Sequence, residues 1–299
     1  MAPPASAPAT AMAAPATLDA AAPRRPNVIH AFSRAQPLGA ISAVAILVMM
    51  LAAIFAEQVA PYHPLDIDFG AILAPPSAEH WFGADAFGRD ILSRIIYGAR
   101  TALAIGFLSS LIGCVAGAVV GVASAYFGGR IDLLVQRLVD ILLSFPIIVL
   151  ALVVVAMLGR WPVLGIDVNL ILAIAIPIVP KVARVIRSSA LAIREMPYVD
   201  AARAAGYSHA RIIVRHMVPN VAAPFLIMFT AFIAQAILLE ASLSFLGLGV
   251  TEPTPAWGLM LSGNASDFYR EAPWMILFPG LAISVAVFAF NLFGDSLRD

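Results

Sequence analysis

Continuous apolar runs, long enough to cross a bilayer, constrain this chain more than any other feature. They cover residues 39–60, 101–125, 141–158, 168–186, 221–239 and 273–293, and most carry no charged residue. A helix needs roughly 20 apolar residues to span the ~30 Å hydrocarbon core. Lipid offers the backbone no hydrogen-bond partner, so each segment must satisfy its own N–H and C=O groups. The expected fold class is an all-α membrane protein with six transmembrane helices. Composition agrees: 61% of the 299 residues are hydrophobic and 12% charged, where a soluble domain carries about 25% charged residues.

Three absences narrow the function. The net charge is zero, which argues against a nucleic-acid partner. The single cysteine, Cys114, lies inside an apolar run and has no partner for an intramolecular disulfide. Lys181 is the only lysine, and no glycine-rich loop precedes it. A P-loop needs both to cradle phosphates, so this chain has no Walker-type ATPase site. If ATP drives it, another chain binds the ATP.

Residues 1–38 are rich in Ala and Pro and are expected to be disordered. Arg24 and Arg25 form a twin-arginine pair, but prolines flank it. The run over 39–60 exceeds the roughly 7–15 residues of a signal-peptide core, so it is an uncleaved first helix. Residues 61–100 form an outer loop, and 101–299 hold the other five helices. On the second helix, Gly113, Gly117 and Gly121 stand four residues apart. Such small-residue steps let another helix approach closely. After a turn at Gly128-Gly129, an amphipathic piece over 131–140 leads into a helix over 141–158 with Pro146 near its start. The next helix carries Pro177 and Pro180, and the fifth ends at Glu240. Trp257, in the connector over 240–272, is expected near a membrane interface. Placing the N-terminus inside puts 13 of the 18 Lys and Arg on inner segments and 5 outside. The positive-inside rule favours that orientation.

The stretch from Lys181 to Arg215 dominates this asymmetry, and most of it lies in the loop over 189–219. Within it stands Asp200-Ala-Ala-Arg-Ala-Ala-Gly206, followed after twelve residues by Pro219. Pro197 suits a first helical turn, and Asp200 lies near that positive end. Gly206 suits a left-handed helix end, and Ser208 can cap a second helix carrying Arg211 and Arg215. Ile212, Ile213 and Val214 of that helix turn toward the membrane or the protein. A short, smooth helix held between two spans can seat in a groove on a soluble partner.

The spacing Asp-Ala-Ala, three residues, Gly, then Val-Pro resembles the E-A-A…G…L-P signature of ABC-importer membrane subunits. Asp200 stands where that signature has Glu, and Val218 where it has Leu. His80-Trp-Phe-Gly-Ala-Asp-Ala-Phe-Gly-Arg-Asp90 with Ser93-Arg94 and Gly98-Ala-Arg-Thr101 is similar to the dipeptide/oligopeptide/nickel permease family, with Ala84 in place of Thr. Glu240-Ala-Ser-Leu-Ser-Phe-Leu-Gly-Leu-Gly249 and Asn291-Leu-Phe-Gly-Asp-Ser-Leu-Arg-Asp299 resemble its C-type subunit. The resemblance spans roughly residues 40–299. It implies a type I ABC importer permease fold in the inner (cytoplasmic) membrane of a prokaryote, with both termini cytoplasmic and 61–100 periplasmic. It implies half of a translocation pore for di- or oligopeptides, or for nickel or a nickel chelate. It further implies a homologous second permease subunit and an extracytoplasmic binding protein. Two P-loop ATPases would carry ATP and Mg and dock on Asp200, Ala201, Ala202, Gly206 and Pro219. No cofactor is expected in this chain, and a membrane scaffold without a pore is the alternative outside transport.

The remaining polar residues have simpler readings. Glu240 at a helix end is a candidate gate or pathway residue, because carboxylates inside membranes are costly. Asp85, Arg89, Asp90 and Arg94 suit an outer ion-pair network. Outer His63 and His80 have neither Cys nor clustered carboxylates beside them, so no metal site is expected. No catalytic arrangement is present, so no enzyme is expected.

Overall fold

The computed structural model describes Arg34 and residues 36–163 and 166–298. The Ala- and Pro-rich tail lies outside the described residues except for Arg34 and its last three positions. Helix α1 spans Pro37–Ile54, with proline in its first turn. Helix α2 spans Ile91–Phe127 and begins ten residues before the apolar run. Asp90 fixes that start, since its carboxylate accepts the Ser93 N–H at 2.8 Å. The early turns hold charges that are hidden or paired. Arg94 is buried, and Arg100 donates to the last carbonyls of α1, at Ala53 and Ile54. Those carbonyls have no partner inside their own helix.

The expected helix over 141–158 is two pieces. Amphipathic α3, Gly129–Leu143, and apolar α4, Ile147–Leu158, meet at 94°. Pro146 was expected near the start of that helix, where a proline costs little. It ends the helix instead, because proline lacks an N–H and restricts the residue before it. Helix α5, Val168–Arg194, runs unbroken through Pro177 and Pro180, both buried against neighbours.

The three α2 glycines settle how the chain crosses. A Cβ on Gly113 would meet the Ala175 carbonyl at 2.8 Å, on Gly117 the Val179 carbonyl at 2.7 Å, and on Gly121 the Ala183 carbonyl at 2.6 Å. Positions rise together on both helices, so α2 and α5 run parallel. Two parallel spans require a return crossing between them. The bent α3–α4 pair is that crossing, although α4 alone rises only about 18 Å. With it, five long apolar helices become six spans.

Beyond α5 come short α6, Pro197–Ala204, and α7, His209–Ile212. A π turn over Ile213–Met217 and a 3₁₀ turn over Val218–Val221 lead into α8, Ala222–Phe245. Proline 219, without an N–H, stands where the ladder changes. Helix α9 is Trp257–Met260, and α10, Trp274–Arg298, continues past the expected end at Phe293. Trp257 packs inside the protein. It is buried, donates its indole N–H to the Ile95 carbonyl at 2.9 Å, and fills the space left by Gly98. Apolar side chains from α2, α4, α5 and α8 form one core, and those from α1, α2, α8 and α10 a second. Large apolar residues exposed along α1 and α3, among them Ile41, Leu47, Leu134 and Leu138, face outward.

Candidate functional site

The segment after α5 is built to present one face and bury the other. Helix α6 starts at Pro197 and closes with a double hydrogen bond. The Gly206 N–H donates to the Arg203 carbonyl at 3.0 Å, and the Tyr207 N–H donates to Ala202 at 3.1 Å. This is a Schellman end, which needs a left-handed residue, and Gly206 has φ +74°. Asp200 pairs with Arg203 one turn on, at 2.8 Å. Ser208 caps α7, accepting the Arg211 N–H at 3.4 Å. Val199, Ala202, Ile212 and Met217 point into the helical core. Burying each of the larger three stabilises by ~1.5–3 kcal/mol. Asp200, Ala201 and Gly206 are exposed on the opposite face, as is Pro219. Ala202 therefore packs inward, away from the face that Asp200, Ala201 and Gly206 present. Of the three residues expected to turn toward the membrane or the protein, Ile212 is buried, Ile213 is half-buried and Val214 is exposed.

At the other end of α2 sits an ion cluster. The Arg89 guanidinium donates to Asp85 at 2.7 Å and to Glu252 at 2.9 Å. Arg94, 1% exposed, lies 3.4 Å from Glu252 and 3.9 Å from Asp85 and donates to the Pro64 carbonyl at 3.2 Å. Burial pulls the Arg89 pKa down, but hydrogen bonds to Glu252 and Asp85 outweigh it and hold it above the ordinary value. Asp90 stands apart from the arginines, capping α2 and meeting His80 Nδ1 at 3.0 Å. Sequence reasoning missed Glu252, which lies over 150 residues from its partners and has no local pattern. These four charges border a cavity of about 210 Å³. Asp85→Asn keeps the bonds that Asp85 accepts from the Phe87 and Arg89 N–H groups, but leaves the buried Arg94 and half-buried Arg89 guanidiniums sharing one exposed carboxylate. We expect a loss of about 3 kcal/mol, the low end for breaking a buried pair, read as a lower melting temperature of the purified protein. His63 is exposed and its Nδ1 faces the Leu65 N–H at 3.4 Å.

Glu240 is not at a helix end. It lies within α8, fully enclosed, and Oε1 accepts the Ser244 hydroxyl at 2.7 Å. Ser244 Oγ in turn accepts the Val250 N–H at 3.0 Å, which folds the chain after α8 back on the helix.

Against this geometry, residues 113–299 match the family described as binding-protein-dependent transport system inner membrane component. The chain belongs to this family. The α6–α7 segment, α5 and α8 all fall inside the matched region. Residues 33–76 match the N-terminal transmembrane domain of oligopeptide transport permease C, and the Asp85–Arg94 stretch lies between the two matches. A dipeptide transport system permease protein of Alkalihalophilus pseudofirmus is 43% identical over 88% of this chain and 84% of its own. A putative peptide transport system permease of Brucella suis is 42% identical over 87% and 85%. A glutathione transport system permease of Escherichia coli is 40% identical over 89% and 86%. The fold matches the MetNI methionine ABC transporter in an inward-facing form, with TM-score 0.54 and 19% identity, over 69% of this chain and 94% of that one. The family is a multi-pass transport permease and not an enzyme. Its fold is that of an ABC importer permease.

Proposed function

We propose that this chain forms half of the pore of an ATP-driven importer of di- or oligopeptides, with a homologous permease as the other half. Two P-loop ATPases bind ATP and Mg and seat on the exposed face of α6, at Asp200, Ala201 and Gly206. A binding protein delivers substrate on the opposite side, where Arg89 and Arg94 lie. Both termini and the docking segment are cytoplasmic. The observation that carries this reading is α6 itself: a capped helix held by Val199 and Ala202, with a small-residue face left open to solvent. The chain carries no Walker-type P-loop, so the face suits a partner that has one. The peptide, dipeptide and glutathione names of the relatives support a peptide substrate. None of the three is named for nickel.

The test is purification of the chain from its native membrane under gentle detergent, then uptake assays in proteoliposomes. A second permease and P-loop ATPases should accompany it, and the assembly should accumulate a labelled dipeptide when ATP is supplied. Purification of the chain alone under several detergents, with no ATP-dependent flux, would favour a scaffold instead.

Glu240, enclosed and hydrogen-bonded to Ser244, acts in this proposal as a brace for the turn after α8 and not as a gate. Glu240→Gln keeps an oxygen for Ser244, so uptake should stay within about twofold of the parent, the scale of a weakened single hydrogen bond. A loss beyond tenfold at equal expression would restore the pathway role.

A further inference from the structure

The docking segment is fastened to the membrane helices almost wholly by apolar contact. Val199, Ala202, Ile212 and Met217 reach the core, and such burial is non-directional. It holds the segment down but lets it turn or slide. Apart from bonds to chain neighbours at Ile193, Asn220 and Ala222, one hydrogen bond among the described residues joins residues 196–219 to the rest of the protein. The Tyr126 hydroxyl meets His209 Nδ1 at 2.7 Å.

This bond has a defined setting. Tyr126 is 6% exposed, at the last turn of α2. Its ring meets the His209 ring edge-on, with centroids 5.5 Å apart. Arg203 of α6 lies over the same ring, 5.7 Å from its centre, within cation–π range. Arg194, at the end of α5, donates to the carbonyl of the preceding Ala125 at 2.9 Å. The ring is thus held between α6 and α7 at the end of α2, and Arg194 ties the backbone beside it to α5. From there α2 continues unbroken to Arg94, which pairs with Glu252 at the far surface. Hydrogen bonds need both distance and angle, so this one sets the orientation of α7 against a rod that reaches both faces.

We propose that the Tyr126–His209 hydrogen bond is the joint through which movement of the docking segment is handed to α2. Tyr126 and His209 are positioning residues. They contact neither nucleotide nor solute. The inference rests on the importer reading and adds to it the path of the motion. Apolar burial is the rival carrier, and it predicts no effect from removing one hydroxyl.

The test uses the complete complex in proteoliposomes and reads labelled dipeptide taken up per ATP hydrolysed. Tyr126→Phe removes only the hydroxyl. Loss of one hydrogen bond is expected to lower that ratio about three- to tenfold while ATP hydrolysis continues. His209→Ala should do the same, and the double substitution should be no worse than either alone, because the two residues share one interaction. His209→Asn, whose amide oxygen can take the place of Nδ1, should recover most of the ratio. A Tyr126→Phe complex with the parental ratio, or additive losses in the double variant, would overturn the joint. If the parent complex shows no ATP-driven uptake, the importer reading fails by itself. The joint is then judged by hydrogen exchange of α7 in the purified protein. Faster exchange in Tyr126→Phe supports the fixed orientation, and unchanged exchange refutes it.

Discussion

Replacing Gly117 by leucine is expected to leave little folded protein. Parallel α2 and α5 touch through three glycines, and Gly117 is the middle one. Even a single added carbon there would stand 2.7 Å from the Val179 carbonyl and 2.7 Å from Val182 Cβ. Neither is the far end of a flexible side chain, so the helices themselves must part. Overpacking a core typically costs about 1–3 kcal/mol and occasionally more. A leucine here pushes on backbone over the whole α2–α5 contact, so we place it at about 3 kcal/mol or beyond. Alanine at the same position adds one carbon and should cost less, about 1–2 kcal/mol. Gly280 on α10 is the control, since a Cβ there meets nothing within 4 Å. Fluorescence-detected size exclusion of tagged chains would rank them: Gly117→Leu aggregated or degraded, Gly117→Ala weakened, Gly280→Ala like the parent. A monodisperse Gly117→Leu peak at the parental melting temperature would remove the glycine contact from the account of this fold.

Those glycines show what a sequence makes legible. Their four-residue spacing pointed to a close helix approach, because spacing alone defines a helix face. It named neither the partner helix nor its direction, since both depend on contacts some sixty residues apart. Apolar runs located the spans for the same local reason. They misplaced the start of α2, because Arg94 and Arg100 look like loop residues until their charges are seen buried or spent on other segments. Pro146 was weighed by its cost to a helix already assumed, and the chain instead turned through 94°. The docking segment was the most readable site, as Pro197, Asp200, Gly206 and Ser208 each act within a few residues of themselves. Ala202 shows the limit there. Composition made it as suitable a surface residue as Ala201, and only the tertiary packing decides which alanine faces inward. Glu252 was out of reach for the same reason, as its partners are far along the chain.

The second large effect is expected at Gly206, where the fold survives and transport does not. The residue holds φ +74°, a conformation that side chains with a branched Cβ enter only under strain. A Cβ built there meets no atom within 4 Å, so valine brings backbone strain and no clash. That strain is of order 1–3 kcal/mol. It is relieved by undoing the Schellman end, which releases Tyr207 from Ala202 and lets α6 swing out of line with α7. Because the site is exposed and an added Cβ meets no neighbour, the membrane helices need not notice. Gly206→Val should therefore run as a monodisperse protein with a melting temperature near the parent's. Its ATP-driven dipeptide uptake should fall tenfold or more, the kinetic scale of about 1.4 kcal/mol. Gly206→Asn separates conformation from side-chain size. Asparagine is larger than hydrogen yet visits the left-handed region readily, so it should keep much of the uptake that valine loses. Equal loss in both variants would mean the docking face tolerates no side chain at this position, which makes Gly206 a contact residue. Intact uptake in Gly206→Val would mean that the end of α6 plays no part in coupling, and the docking face would have to be sought elsewhere on the inner surface.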